Sequence, residues 1–290
     1  MKKIIILGLL KLLSVLPLTI LRGLGALVGI IGLKFSKKSR MRLRANLLKT
    51  GMATNENIDK MAKKTAIEFG RTLVETICIA WQRSKAYNAS LILETINFRL
   101  VKEAVQSGKA LVFLTPHIGN FEIALKYTAQ KLDREFTVLY KPTKDKWLNA
   151  LMYKGRTENN IHPVPTNRNG VLALVKALKR KEAIGVLPDS VASQGDGVWV
   201  NFFGQKVFAT TLAAKMALTP KVITFVVASR RIPGGFVVEY VPYLVQTQEI
   251  NSLVQDLYSI FEKIVLQAPE QYYWSYDRFR IPKSQHSMMK

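Results

Sequence analysis

Cysteine is almost missing from this chain: Cys78 stands alone among 290 residues. A single thiol excludes an internal disulfide framework and any metal site built from paired cysteines. In "LVETICIAW", among apolar neighbours, it reads as a small core residue. Histidine is nearly as scarce, with only His117, His162 and His286. None of the three has a second histidine at the helical spacing of a two-histidine zinc protease, so no metal centre is expected. No acidic residue precedes Glu56. Internal repeats, low-complexity tracts and linkers are also lacking, so the body reads as one domain with chain enough to bury a substantial core.

What the chain does have is apolar surface and positive charge. Hydrophobic residues make up 48%, charged residues 22%, and the net charge is +23. The apolar excess is concentrated: from Ile4 to Leu33 only Lys11 and Arg22 are charged. Lys34, Lys37, Lys38, Arg40, Arg42, Arg44 and Lys49 follow directly. A basic cluster beside an apolar anchor suits anionic lipid headgroups, each cation contributing roughly 1 kcal/mol near the surface. The same charge also suits nucleic acid, so composition alone leaves a non-catalytic basic binding protein open.

A cleaved signal peptide is not expected, because the segment continues apolar and then turns strongly basic. A spanning helix needs about 20 apolar residues, and every such window here contains Arg22, which costs about 2.5–3.5 kcal/mol at mid-bilayer. In one continuous helix Lys11 and Arg22 would be about three turns apart and share a face. That favours a helix lying in the membrane interface, bent at Pro17. If the segment spans instead, the positive-inside rule places the body in the cytoplasm. Both readings set the body against the cytoplasmic face of a membrane. The expected organisation is a membrane-associated segment over 1–33, a single folded domain over 34–282 and a polar tail over 283–290.

Periodicity predicts a helix from Asn57 to Arg83 and a short one from Val101 to Ser107, closed by Gly108. Strands are expected over 110–114, 136–140, 183–187, 222–229 and 236–241, the last two joined by a hairpin-like turn at "RRIPGG". "IHPVP" reads as extended. Helices are expected over 121–131, 146–156, 171–179 and 250–267. Alternation of strands and helices predicts an α/β single domain with a mixed central sheet flanked by helices, plus the N-terminal membrane-associated helix.

One stretch carries chemistry. In "LVFLTPHIGNFEIALKY" a strand ends at Thr115-Pro116, His117 follows, and Asn120 is a candidate N-cap for the next helix. A turn between His117 and Glu122 lets the carboxylate accept the ring N–H, which fixes the tautomer and raises the basicity of the other nitrogen. Such a nitrogen can take a proton from an alcohol. No serine or cysteine lies in this element, so the alcohol belongs to the substrate. The competing reading is a structural histidine at a strand end.

"HIGNFE" resembles the H-x4-[DE] pattern of glycerolipid and lipid A acyltransferases, and is most similar to the lauroyl/myristoyl acyltransferases of bacterial lipid A synthesis. The resemblance runs in order over residues 5 to 282. It continues through "YKPTKDKWLNALMYKGR", "GVLPDSVASQGDGVWVNFFGQKVFATTLAAKMA" and "PEQYYWSYDRFR". Phe121, Lys141, Ser190 and Tyr276-Asp277 depart from the usual residues, which bears on acyl-chain length and acceptor rather than on reaction class.

The resemblance implies His117 as catalytic base and Glu122 as its orienting partner, with Arg156 and Asp189 on the polar positions of the second and third blocks. Arg156 offers a planar donor fork for a phosphate or oxyanion. Asp189, after a strand and Pro188, stands where α/β sheets carry active-site residues. Gly119 and Asn120 are expected to aim backbone N–H groups at a thioester oxyanion. Lys141, Lys144, Lys146 and Arg168 form a basic rim suited to an acidic carrier protein or to phosphates. "VWVNFFG" with Phe208 fits either an acyl chain or core packing, and His162 reads as structural.

The implied activity is transfer of a fatty acyl group from acyl-[acyl carrier protein] to a lipid A precursor hydroxyl at the bacterial inner membrane. An anionic glycolipid is the acceptor, and neither a cofactor, a metal nor nucleic acid is implied. The runner-up acceptor is a lysophospholipid or other membrane glycolipid, with acyl-CoA or acyl carrier protein as donor.

Overall fold

The computed structural model describes residues 2–80, 84–157, 160–193 and 195–282. The far end of the helix expected to reach Arg83, and His286 with the polar tail, lie outside them. Two apolar helices open the chain, α1 (Lys2–Ser14) and α2 (Leu18–Phe35). They part at Pro17, which has no N–H to continue a helical ladder. That break corrects one expectation: Lys11 and Arg22 belong to separate helices and share no face. Lys11 is exposed, while Arg22 turns inward onto Glu75.

The basic cluster folds as α3 (Lys37–Lys49), whose Leu43, Asn46 and Leu47 are buried. Next come α4 (Ile58–Glu75) and a π-helical turn over Thr76–Ala80 that holds the buried Cys78. The rest of the body follows: α5 (Lys85–Ser90), β1 (Ile92–Ile96), α6 (Phe98–Gln106), β2 (Ala110–Leu114), α7 (Phe121–Leu132) and β3 (Phe136–Tyr140). Then come α8 (Lys146–Arg156), β4 (Ile161–Pro165), α9 (Arg168–Lys179), β5 (Ala183–Val186), β6 (Gly197–Phe202) and β7 (Gln205–Thr210). The last elements are α10 (Leu212–Ala217), β8 (Val222–Ile232), β9 (Gly235–Pro242) and α11 (Ile250–Gln267).

Seven strands form one mixed sheet in the order β1-β9-β8-β2-β5-β3-β4, with β6 and β7 as a separate hairpin. β8, β2, β5, β3 and β4 run parallel, and β9 turns back antiparallel on β8. Both faces are covered, as parallel strands require. Along β2, Leu111 and Phe113 pack into one core with Ala124 and Ala129 of α7, while Val112 and Leu114 pack into the other with α9, α10 and α11. Prolines 163 and 165 are tolerated in β4 because it is an edge strand.

Connectivity decides where a site forms. The chain leaves β2 toward β3 by way of α7, and leaves β5 in the opposite direction toward β8 by way of α10. Those helices lie on opposite faces, so a crevice opens beyond the carboxyl ends of β2 and β5. The hairpin β6–β7 answers the question left by "VWVNFFG". Val200, Phe202 and Val207 are buried against Leu257 and Phe261 of α11, which is core packing rather than a cavity wall.

Candidate active site

β2 and β5 pair in register from Leu111 with Ala183 to Leu114 with Val186. One bond continues the ladder past the strands, from the Thr115 N–H to the Val186 carbonyl. The chain then splays, and His117 and Asp189 emerge side by side from neighbouring strand ends. His117 Nδ1 lies 2.5 Å from Asp189 Oδ1, and the His117 backbone N–H donates to Asp189 Oδ2 at 3.0 Å. This corrects the pairing expected from sequence. The carboxylate that holds the imidazole is Asp189, not Glu122.

Asp189 is fully buried and its two oxygens divide their partners. Oδ1 faces the imidazole; Oδ2 accepts from the His117 N–H, from the Tyr272 hydroxyl at 3.1 Å and from Arg278 Nη2 at 3.1 Å. Burial on its own would raise this carboxyl. The neighbouring His117 imidazole and Arg278 guanidinium overcome that and hold it well below the usual carboxylate range. Burial, opposed by Arg278, pushes the Tyr272 phenol far above its ordinary value, so it stays a donor. Neither Tyr272 nor Arg278 was singled out from sequence. The available signal was their place in the closing block "PEQYYWSYDRFR", one of the stretches that carry the resemblance.

Glu122 lies in the first turn of α7 and points to α8. Its Oε1 accepts from Arg156 Nε at 2.7 Å and is also contacted by Arg156 Nη2. Arg156 in turn lies over the Tyr140 ring, 5.8 Å from its centroid. Among the described residues Glu122 makes no hydrogen bond to His117, although both line the same cavity.

The expectation for Gly119 and Asn120 is overturned. The Gly119 N–H donates to the Gln271 carbonyl at 3.1 Å, and the Asn120 N–H to the Ser229 hydroxyl at 2.8 Å. With both donors engaged inside the protein, neither is free for an oxyanion. Gly119 is required for another reason. It has φ +56°, and an added Cβ would lie 2.0 Å from the Ser229 carbonyl oxygen. Asn120 is the helix cap as expected, its Oδ1 accepting from the Ile123 N–H at 3.1 Å.

A cavity of about 960 Å³ opens in front of His117. Leu125, Val138, Met152, Ile161 and Val171 give it an apolar wall, and Lys141, Arg156, Arg168 and Arg280 a cationic lip. Of the expected basic rim, Lys141 and Arg168 line the cavity, whereas Lys144 and Lys146 are exposed beside it. His162 is exposed on β4 and contacts Glu135, away from the cavity.

The imidazole is 25% exposed, with Phe121 edge-on at 5.1 Å between ring centroids. With Nδ1 committed to a carboxylate, Nε2 is the nitrogen left to exchange a proton with a bound molecule. Among the described residues no serine or cysteine side chain is bonded to this histidine. A carboxylate-held histidine at a strand end, opening on an apolar cleft, is the build of an α/β enzyme acting on a molecule with an apolar chain.

Comparison with known proteins gives the family. The profile of the bacterial lipid A biosynthesis acyltransferases matches residues 2–281, and the chain belongs to that family of O-acyltransferases. It is 25% identical over 281 residues to the lipid A biosynthesis palmitoleoyltransferase of Escherichia coli K12, covering 94% of this chain and 89% of the relative. To the lauroyltransferase of the same organism it is 23% identical over 291 positions, with the same coverage. A lipid A biosynthesis acyltransferase of Haemophilus influenzae is 25% identical over 279 residues, covering 91% of this chain and 86% of the relative.

Proposed function

We propose that this acyltransferase moves a fatty acyl group from acyl-[acyl carrier protein] to the hydroxyl of a 3-hydroxyacyl chain on a lipid A precursor, at the cytoplasmic face of the bacterial inner membrane. The observation that carries the reading is the Asp189–His117 contact at the mouth of an apolar cleft. Nε2 takes the proton of the acceptor hydroxyl, and the oxygen attacks the thioester carbonyl. A C–O bond forms and the C–S bond breaks. The proton held on Nε2 then passes to the departing thiolate, so the histidine ends as it began.

Asp189 keeps the ring in one tautomer and stabilises the imidazolium while it lasts. Arg156, fixed by Glu122, supplies positive charge where the carbonyl oxygen becomes an oxyanion, the term that commonly contributes most in such reactions. Arg168, Lys141 and Arg280 at the lip suit the phosphates of the glycolipid or the acidic surface of the carrier. The apolar wall suits the acyl chain.

The test is an assay in membranes with labelled acyl carrier protein thioesters of several chain lengths and with tetra-acylated and penta-acylated precursors. His117→Ala should abolish transfer. Turnover near that of the wild type would overturn the base assignment. Lipid A from cells with and without the gene should differ by the mass of one acyl chain, and an unchanged spectrum would redirect the reading to a lysophospholipid or another glycolipid acceptor.

A further inference from the structure

We propose that α2 is an integral helix of the catalytic body that docks in the plane of an anionic lipid leaflet and does not cross it. In sequence α2 is apolar apart from Arg22 and Lys34, and among the described residues it is the one helix long and apolar enough to span a bilayer. In place it is two-sided. Ile20, Leu24, Leu27, Ile31 and Phe35 are exposed and recur at helical spacing along one face. The opposite face carries Arg22, Gly25 and Gly29, and those groups are committed to the protein.

Gly25 and Gly29 cross Gly70 of α4 at backbone contact. A Cβ on Gly29 would lie 2.0 Å from the Ala66 carbonyl oxygen, and one on Gly70 would lie 2.1 Å from that of Gly25. Arg22 is bound on every nitrogen: Nε to Glu75 Oε1 at 2.8 Å, Nη1 to the Ile232 carbonyl at 2.7 Å, and Nη2 to the Gly235 carbonyl at 2.8 Å. Glu75 is itself fully buried and shared with Arg231. A spanning α2 would have to draw a satisfied guanidinium out of the protein into hydrocarbon and leave a buried carboxylate short of a partner.

The occupant of the outer face is a leaflet bearing anionic headgroups. α2 ends at Phe35, which is 77% exposed, and Lys34, Lys37 and Lys38 are exposed around that end with no acidic residue nearby in the chain. Exposed apolar residues continue at Leu9 and Leu12 of α1 and at Val15 just after it. An apolar strip ending in lysines is the pattern of a helix seated at the headgroup boundary.

The experiment measures depth. Cysteines placed at Ile20, Leu27 and Phe35, one per protein, carry an environment-sensitive fluorophore; Cys78 is only 2% exposed, so the wild type serves as the unlabelled control. The labelled protein is added to vesicles of phosphatidylethanolamine with a minority of anionic phosphatidylglycerol, whose lipids carry quenchers at stepped depths. In-plane docking places all three labels at one shallow depth, and binding weakens several-fold when phosphatidylglycerol is omitted. Leu27 at the bilayer centre with Ile20 and Phe35 near the two surfaces would overturn the proposal, as would three labels left in water. The proposal deepens the reading of a membrane-resident acceptor, but its test reads no turnover, so the two fail separately.

Discussion

At the scale of single residues, the partners of Asp189 make separable contributions to catalysis. Replacing Asp189 with Asn removes the charge that steadies an imidazolium and lets the side chain present an N–H where an acceptor is needed. We expect kcat to fall on the order of 10³- to 10⁴-fold, as when other aspartate–histidine pairs lose their carboxylate. Tyr272→Phe removes one of three donors to Asp189 Oδ2; its loss should lower kcat by about tenfold, about 1.4 kcal/mol, with the KM for acyl donor unchanged. Glu122 belongs to a different unit. Because its carboxylate is shared with Arg156, Glu122→Gln and Arg156→Gln should overlap, and the double variant should be about as impaired as the worse single one. Fully additive losses in steady-state kinetics would break that pairing. These contacts also mark what a sequence reveals of a site. His117 is legible because its motif is local. Asp189 lies 72 residues away and becomes its neighbour only because β2 and β5 pair. Glu122 was the nearer carboxylate in sequence, but the first turn of α7 aims it at α8.

At the scale of elements, legibility follows the strength of local signals. β2, β3, α8 and α11 occur where apolar runs and periodicity place them. β1 was not evident because "ILETI" is short and carries Glu94 at the sheet edge. The hairpin β6–β7 turns on Phe203 and Gly204, both at positive φ. An aromatic residue in that conformation replaces the usual Asn-Gly cue, so the turn is silent in sequence. The α2–α4 crossing is likewise hidden, because small residues read as merely apolar until a partner helix is known. Two glycines on α2 test it. Gly29→Ala drives a methyl to 2.0 Å from the Ala66 carbonyl and should destabilise the protein by about 1–3 kcal/mol. Gly32→Ala meets nothing within 4 Å and should be neutral or add up to about 1 kcal/mol through helix propensity. Equal melting temperatures for the two variants in detergent would show that α2 does not pack there.

At the scale of the whole molecule, a chain with net charge +23 buries carboxylates among its cations, and this sets how it responds to acid. Asp189 is held well below the usual carboxylate range by His117 and Arg278 against the opposing effect of burial, and Glu75 is lowered by Arg231 and Arg22, again against burial. For a group whose folded pKa lies under its unfolded value of roughly 4, the unfolded chain binds more protons in the window between the two. Stability from these groups is therefore complete above about pH 5 and is lost as pH falls through that window. Denaturant unfolding in detergent from pH 7 to pH 3 should show it as a decline confined to the acid side. Asp189→Asn should flatten part of that decline, having no proton to gain. Asp256→Asn, at an exposed position on α11, makes the same change in net charge and separates local coupling from general repulsion. If the two variants trace parallel curves below pH 5, the acid sensitivity comes from the overall positive charge and the buried Asp189 contributes nothing specific to it.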